Sequence, residues 1–231
     1  YEQIAGLLEP KTDMAGKRVL VNAGSTCEDI DPVRFIGNRG TGRMGYAIAR
    51  EACERGADVI LVSGKTNLEV PANVKCINVW SSQEMCDAML QYQPVCDVII
   101  GAAAVGDFRI AQVAAQKIKK TDDGPPSVML ELVGTTDILK EIGKRKQENQ
   151  IMVGFAAETE NLLENARKKL KSKNLDFIVA NDVTMEGAGF ATETNVVTLI
   201  SRNGEMVSLP KMLKEEVAAA IIDRVVALTQ A

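Results

Sequence analysis

The chain has 231 residues, enough for one large domain with a sizeable buried core. Its 46% apolar and 25% charged residues are typical of a globular protein, and its formal charge of −4 argues against a general nucleic-acid-binding surface. It contains no histidine, which excludes Ser-His-Asp and Cys-His catalysis and removes the most common ligand of transition metals.

Cysteine usage and apolar runs indicate a cytoplasmic protein. The five cysteines are odd in number and include no C-x-x-C pair, so we expect neither a disulfide framework nor a metal site built from cysteine. The longest apolar run, residues 98–106, is far shorter than the ~18 residues of a membrane span, and no secretory signal precedes the first strand. We therefore expect a cytoplasmic protein with no membrane partner and no nucleic-acid partner.

The chain begins with a segment that we interpret as a tether. Residues 1–15 are broken by Pro10 and followed by Gly16 before the first strand pattern. Because the first residue is Tyr rather than Met, we expect this tether to be a linker from a preceding domain. Residues 16–231 show no repeat and no internal linker, which predicts a single domain.

The first half of the chain predicts strands and helices in alternation. Strands are predicted over residues 17–24, 57–64, 74–79 and 96–105. Helices are predicted over residues 42–55 and 82–91, and the first has an apolar face formed by Met44, Ile48, Ala49 and Ala52.

The second half continues the alternation and ends in a hairpin and a helix. Its patterns predict a helix at 136–146, a strand at 151–158, a helix at 160–173 and the last core strand at 176–182. A hairpin is predicted around residues 202–204. The C-terminal helix carries apolar residues at core spacing: Leu213, Val217, Ile221, Val225 and Leu228.

This alternation predicts the fold class. Strands that alternate with helices form a mostly parallel sheet covered on both faces. We therefore expect an α/β, Rossmann-like three-layer fold with a small β-hairpin or flap extension. Ligands of such sheets bind at the carboxyl ends of the strands, so the residues just after each strand are the candidates for a site.

Residues 40–45, Gly-Thr-Gly-Arg-Met-Gly, form a literal G-x-G-x-x-G, the pattern of a dinucleotide-binding turn. Three features argue against that function. The first strand ends near Gly24, sixteen residues before the pattern, and the end of the second, Val62-Ser63-Gly64-Lys65, has no acidic partner for a ribose. Tyr46 is followed four residues later by Arg50, not by the lysine of short-chain dehydrogenases.

Two interpretations of this glycine loop, residues 38–45, remain open. The helix that it opens directs N–H groups at whatever lies in front of them, and Arg39 and Arg43 flank it, which favours a bound anion. The alternative is a helix start that needs small residues for close packing.

Two groups of lysines also have two interpretations. Lys117, Lys119 and Lys120 form a compact cluster that could neutralise a triphosphate or form a solvated charge run. Lys169 and Lys173 lie four residues apart on one predicted helical face. Like charges at this spacing cost ~0.2–0.5 kcal/mol unless an anion lies between them, and solubilising surface charge is the alternative.

Six motifs in a fixed order identify a resemblance: DPVRFIGN (31–38), G-x-G-x-x-G (40–45), AAAVGDFR (102–109), KIKK (117–120), VGFAAET (153–159) and NLDFIVANDV (174–183). Together they closely resemble phosphopantothenoylcysteine synthetases, the cysteine ligases of coenzyme A biosynthesis, over residues 17–229. In many bacteria this ligase is the C-terminal half of a fusion with a flavin-dependent decarboxylase. The resemblance therefore implies FMN only where a decarboxylase half is attached.

The resemblance implies a ligase that acts in two steps. The carboxylate of 4′-phosphopantothenate attacks the α-phosphorus of CTP and releases pyrophosphate, and the amine of L-cysteine then displaces CMP from the acyl-cytidylate. Mg²⁺ is expected with the triphosphate. The resemblance favours CTP over ATP and implies a homodimer with the 100–120 region near its interface.

The resemblance also implies roles for individual residues. Asn38 stabilises and turns over the acyl-cytidylate, since its amide can donate without titrating, and Lys117 assists cytidylyl transfer. Arg34 and the backbone of Gly40, Thr41 and Gly42 hold the phosphate of the substrate. The implied nucleotide contacts are Gly101, Ala102, Ala103, Asp107, Lys117, Thr136, Asp137, Ile138, Phe155, Lys169 and Lys173.

The chain departs from the family pattern at three turns. Ser25 replaces the proline of the usual Ala-Gly-Pro-Thr, Thr135-Thr136 replaces Asn-Pro, and residues 40–43 replace Ser-Ser-Gly-Lys. The last change keeps a positive charge, and Arg43 can still bind phosphate. For Phe155, core packing is an alternative to base contact. An NAD(P)-dependent oxidoreductase and a non-catalytic nucleotide-binding module are the alternative functions.

Overall fold

The computed structural model describes residues 11–120, 127–158, 162–182 and 192–230. Within them, eight strands form one central sheet: β1 (Arg18–Ala23), β4 (Asp58–Ser63), β5 (Lys75–Asn78), β6 (Val98–Gly101), β9 (Ile151–Glu158), β10 (Phe177–Asp182), β12 (Val197–Ser201) and β13 (Met206–Ser208). Shorter strands pair two by two: β2 (Cys27–Asp29) with β3 (Phe35–Gly37), β7 (Phe108–Ile110) with β8 (Leu132–Gly134), and β11 (Thr194–Asn195) with β14 (Met212–Leu213).

The central sheet has the order β13-β12-β10-β9-β6-β1-β4-β5. The strands from β5 to β10 are parallel, whereas β12 and β13 add an antiparallel hairpin at one edge. The parallel part has the connectivity of a doubly wound sheet whose strand order reverses between β1 and β6. Ligands of such sheets bind beyond the carboxyl ends of these two strands.

Helices cover both faces of the sheet. Within the described residues they are α1 (Arg43–Glu54), α2 (Ser82–Tyr92), α3 (Ile138–Lys144), α4 (Leu162–Ser172) and α5 (Lys214–Thr229). One hydrophobic core joins α1 and α5 to the sheet, with Ile48 and Ile221 fully buried. The other joins α2, α3 and α4, with Met89 and Ile142 fully buried. The predicted three-layer α/β fold is therefore confirmed. No helix in these ranges is long and apolar enough to cross a membrane.

Three predicted elements differ from the structure. The strand predicted over 96–105 ends at Gly101, because the backbone beyond it turns to bond a side chain of β1. The hairpin β12–β13 joins the central sheet, so the strand at 177–182 is not its last. Leu213 is exposed and precedes α5, so the core face of that helix begins at Val217.

The polar loop between β1 and α1 contains the short hairpin β2–β3, which the sequence pattern did not indicate. This hairpin accounts for the distance between the first strand and the glycine loop. After it, the chain returns to the carboxyl end of β1, where Gly40 and Gly42 lie close to Ala104 and Gly24.

The predicted tether lies mostly outside the described residues. Its last part, residues 11–15, packs on the domain: Met14 is fully buried. Asp13 forms an ion pair with the buried guanidinium of Arg55, which also pairs with Asp223 at 2.7 Å. Residues 11–15 are therefore bound to α1 and α5.

Candidate active site

A cleft of about 440 Å³ lies beyond the carboxyl ends of β1 and β6. Its walls are the glycine loop, the segment 102–105 after β6, and further side chains from the elements around them: Phe155, Lys169, Asn181, Asn195 and Lys214. Among the described residues, no acidic side chain lines this larger cleft, whereas Arg43, Lys169 and Lys214 do. Its charge therefore suits an anion.

A buried asparagine holds the backbone that lines the site. The side-chain oxygen of Asn22, at the end of β1, accepts hydrogen bonds from the backbone N–H groups of Ala102 and Ala103 at 2.8 and 2.9 Å. These bonds turn the chain away from the sheet after β6 and present the segment 102–105 to the cleft. No sequence pattern marks Asn22, because its role depends on residues 80 positions away.

The glycine loop meets the packing demand of one interpretation left open by its sequence, and its place beside the larger cleft keeps the other, a bound anion, open. Gly42 adopts a left-handed conformation (φ 82°) just before α1, and a Cβ at Gly45 would lie 2.6 Å from the Cβ of Ala23. Glycine is therefore needed for close packing and for the turn. The first turn of α1 also borders the larger cleft, and its N–H groups have no intrahelical partner.

A smaller cleft of about 200 Å³ adjoins the larger one. It is lined by most of the residues expected to contact the nucleotide: Gly101, Ala103, Asp107, Thr136, Asp137, Ile138, Phe155 and Lys173. Ala103, Val105 and Phe155 line both clefts. Phe155 is half-buried and packs against the core while it also forms this shared wall.

The two lysines expected on the nucleotide phosphates line different clefts. Lys169 lines the larger cleft and Lys173 the smaller one. Lys173 forms an ion pair with Asp137 at 3.0 Å. Asp137 also caps the N-terminus of α3 by accepting from the N–H of Lys140. Lys173 and Asp137 therefore lie together at the N-terminus of α3.

Asn38 lies at the rim of the larger cleft. Its side-chain amide donates to the carbonyl oxygen of Val105 at 2.9 Å, and its own carbonyl oxygen accepts from the hydroxyl of Ser25. Both contacts hold Asn38 against the segment after β6. An amide carries two N–H bonds, so one remains available after the bond to Val105.

Arg34 and Lys117 line neither cleft within the described part of the chain. The fully buried carboxylate of Asp31 accepts from the guanidinium of Arg34 and from the N–H of Ile118 at 3.0 Å. Arg34 also donates to the carbonyl oxygen of Ile118 at 2.6 Å. Arg34 and Asp31 therefore anchor the residue next to Lys117.

Within the described ranges, no group of three His, Cys, Asp or Glu side chains could hold a metal ion. Asp107 and Asp137 line the smaller cleft, so a divalent ion that arrives with a triphosphate would meet carboxylates there.

The chain is similar to known proteins over almost its whole length. The family model of the DNA/pantothenate metabolism flavoprotein C-terminal domain matches residues 14–228. The coenzyme A biosynthesis bifunctional protein CoaBC of Bacillus subtilis is 47% identical over 223 residues, which are 96% of this chain and 54% of that protein. CoaBC of Haemophilus influenzae is 41% identical over 226 residues, 98% of this chain and 55% of that protein.

A solved structure shows the same fold. The crystal structure of the C-terminal domain of CoaBC superposes with a TM-score of 0.81 at 41% identity, over 95% of this chain and 99% of that chain. The present chain spans about half the length of the curated relatives it matches.

The anchor at Asp31 predicts a pH dependence of stability. The hydrogen bonds from Arg34 outweigh burial and hold the pKa of the Asp31 carboxyl well below its ordinary 3.8. A carboxyl whose pKa is lower in the folded than in the unfolded state stabilises the folded state. This contribution is complete above the unfolded-state pKa and declines as the pH falls below it. Asp31→Asn should therefore lower the melting temperature at pH 7.

Thermal unfolding of both proteins between pH 7 and pH 3 checks this prediction. The difference in melting temperature should shrink as pH falls below about 4. Asp29→Asn on the neighbouring strand is the control and should show a smaller difference. A difference between wild type and Asp31→Asn that stays constant down to pH 3 would contradict the prediction.

Proposed function

Because the chain belongs to the family of DNA/pantothenate metabolism flavoprotein C-terminal domains, we propose that it joins 4′-phosphopantothenate to L-cysteine with CTP and forms 4′-phosphopantothenoylcysteine. The names of its relatives place them in coenzyme A biosynthesis. The observation that carries the proposal is the pair of clefts that meet at Ala103, Val105 and Phe155.

The two clefts suit the two substrates of the first step. The larger one is bordered by the first turn of α1 and by cations, which suits the phosphate of 4′-phosphopantothenate. The smaller one contains Asp107 and Lys173, which suit a ribose and a phosphate. With one substrate in each cleft, the carboxylate of the first and the α-phosphorus of CTP meet at the shared wall.

The first step is cytidylyl transfer. A carboxylate oxygen bonds to the α-phosphorus, the bond from that phosphorus to the β-bridging oxygen breaks, and pyrophosphate leaves with the electron pair. Cations stabilise the charge that develops on the phosphates. We assign this role to Lys169 and Lys173, which line the two clefts, and to Lys117, which lines neither cleft but lies on the anchored segment next to Ile118.

The second step is amide formation. The amine of cysteine bonds to the acyl carbon, a tetrahedral oxyanion forms, and the nitrogen loses one proton to solvent. The carbon–oxygen bond then breaks and CMP leaves with its electron pair. The N–H of Asn38 that does not bind Val105 donates to that oxyanion. Because this amide carries no charge at any working pH, it stabilises the oxyanion without a proton transfer of its own.

Mg²⁺ belongs to this proposal as a companion of CTP. It would be held mainly by the triphosphate, with Asp107 and Asp137 as the carboxylates that line the smaller cleft, and it would neutralise phosphate charge. FMN is expected only with an attached decarboxylase half.

An NAD(P)-dependent oxidoreductase is a weaker candidate. The strand order is that of dinucleotide-binding sheets. However, the glycine loop follows the β2–β3 hairpin instead of the first strand, and β4 ends in Ser63 and Gly64 without an acidic side chain for the ribose.

We also propose that the chain forms a homodimer through the arm formed by β7, β8 and their flanking residues. This arm exposes large apolar side chains: Phe108, Val113, Val128, Met129, Leu130 and Leu132. Contiguous exposed apolar surface is typical of protein interfaces. A second copy of the chain is the expected partner, since the resemblance implies a family interface near residues 100–120, which include β7 of this arm.

The ligase proposal predicts pyrophosphate release from CTP with Mg²⁺ and 4′-phosphopantothenate, followed by cysteine-dependent release of CMP. Asn38→Asp should slow the cysteine-dependent step by ~10²–10³-fold, because an oxyanion donor is replaced by a carboxylate. Coupled assays for pyrophosphate and CMP measure the two steps separately.

Asn203→Asp, in the turn between β12 and β13, is the matched control and should keep wild-type rates. Equal rates for Asn38→Asp and wild type would contradict the role of Asn38. A folded wild type that releases no pyrophosphate from CTP or ATP would contradict the ligase proposal and favour a non-catalytic nucleotide-binding module.

The dimer proposal predicts that Met129→Glu yields a monomer, because Met129 is 95% exposed on the arm and a carboxylate there would be desolvated in an interface. Sedimentation equilibrium measures the mass. Val70→Glu, at an exposed position away from the arm, should remain dimeric. A monomeric wild type, or a dimeric Met129→Glu, would contradict the proposed interface.

A further inference from the structure

A third cleft of about 220 Å³ adjoins the two clefts of the proposed active site. It shares Asn38 with the larger cleft, and it shares Gly106 and Asp107 with the smaller one. Its further side chains are one carboxylate and three apolar groups: Glu28, Ile36, Phe108 and Leu132. The two proposed chemical steps give this third cleft no occupant, although L-cysteine must reach the acyl carbon beside Asn38.

Glu28 is a nearly buried carboxylate in the wall of the third cleft. The residue is 6% exposed and lies on β2, directly opposite Ile36 of β3. Its Oε1 accepts from the backbone N–H of Ser82 at 2.8 Å, at the N-terminus of α2. This bond fixes the side chain, and the dipole of α2 favours a negative charge at this position.

The charge of Glu28 has no cationic partner among the described residues. No lysine or arginine of these ranges forms an ion pair with its carboxylate, and none of them lines the third cleft. Glutamate is rarely buried to this extent unless it is paired, because an ionised carboxylate is costly to remove from water. The N–H of Ser82 occupies one of about four acceptor positions of a carboxylate. A cationic ligand in the third cleft would supply the missing partner.

The other clefts beside Asn38 do not suit such a ligand. Asn38 also lines the larger cleft and a further cleft of about 400 Å³ that includes Arg39, Arg43 and Lys65. Both have cationic side chains in their walls and, within the described part of the chain, no acidic ones. They would repel an ammonium group, whereas the third cleft would attract it.

We infer that the third cleft is the subsite for L-cysteine, in which the carboxylate of Glu28 binds the ammonium group of the amino acid. Charge-assisted hydrogen bonds of this kind are roughly twice as strong as neutral ones. The apolar wall of Ile36, Phe108 and Leu132 suits the thiol side chain, since cysteine behaves as a small hydrophobic group. The inference rests on the proposed ligase function and adds a residue that selects the amine substrate.

This subsite explains how the amine reaches the acyl-cytidylate. Asn38 lines both the larger and the third cleft, so an amine bound near Glu28 approaches the acyl carbon past the amide that stabilises the oxyanion. The bound ammonium group first releases one proton to solvent and becomes the amine that attacks. Glu28 acts in binding and takes no part in the bond changes.

Glu28→Gln tests the inference in single-turnover assays of the folded chain. Glutamine keeps an oxygen that can accept from Ser82 but removes the negative charge. The acyl-cytidylate is formed first from CTP and 4′-phosphopantothenate, and cysteine is then added. The cysteine concentration that half-saturates CMP release should rise about tenfold or more, while the earlier release of pyrophosphate changes less than twofold. Glu28→Asp should recover part of the loss.

Glu84→Gln is the matched control for a role of Glu28 in capping α2 alone. The carboxylate of Glu84 accepts from the N–H of Trp80 at 2.6 Å at the same end of α2, but Glu84 does not line the third cleft. This variant should keep the cysteine dependence of wild type. Because Phe108 and Leu132 also belong to the proposed dimer arm, sedimentation equilibrium should show the same mass for every variant.

Ile36→Lys provides an independent test that leaves Glu28 in place. Side chains directly opposite each other in an antiparallel pair are neighbours, so the new ammonium group would lie beside Glu28 and compete with that of cysteine. It should raise the half-saturating cysteine concentration, and the uncharged Ile36→Gln should raise it less. This variant decides the question if Glu28→Gln does not fold.

Two sets of outcomes separate the subsite from the ligase proposal. A wild type that completes both steps, with unchanged cysteine dependence in Glu28→Gln or Ile36→Lys, would overturn the subsite alone. An equal rise for Glu84→Gln, or an equal loss of pyrophosphate release in Glu28→Gln, would also overturn it. A folded wild type that releases no pyrophosphate would contradict the ligase proposal and the subsite together.

Discussion

The junction between β1 and β6 is the constraint on which the site depends. Asn22 at the end of β1 bonds the N–H groups of Ala102 and Ala103, so the chain leaves the sheet directly after β6. On the other side of β1, the close approach of Gly45 to Ala23 brings the start of α1 to the same edge. A helix terminus and a turned segment therefore face each other across one cleft.

This arrangement explains why two ligands can meet here. The segment after β6 separates a larger, cationic cleft from a smaller one that contains Asp107, and Phe155 contributes to both. The walls belong to the sheet and to α1, which are packed in the core, whereas Lys117 lies on a segment held by Asp31 and Arg34. Substrate recognition thus depends on elements packed in the core. The position of Lys117, a proposed catalytic cation, depends instead on the hydrogen bonds of Asp31 and Arg34.

The sequence predicted the fold well, because apolar periodicity reports which face of each element is buried. The family resemblance, and not the periodicity, grouped most of the residues that line the smaller cleft. The sequence did not reveal Asn22. Asn22 lies within an apolar strand pattern, so only its contacts with distant residues give it a role. The predicted length of β6 was wrong because the strand ends where Asn22, on another strand, bonds the backbone.

The most direct test of this account is a pair of crystal structures, one with 4′-phosphopantothenate and one with CTP and Mg²⁺. The account predicts the phosphate of 4′-phosphopantothenate beside the first turn of α1, in the larger cleft, with its carboxylate near Asn38. It predicts cytidine beside Asp107 and Phe155, in the smaller cleft. Cytidine in the larger cleft, or both ligands competing for one cleft, would contradict the account.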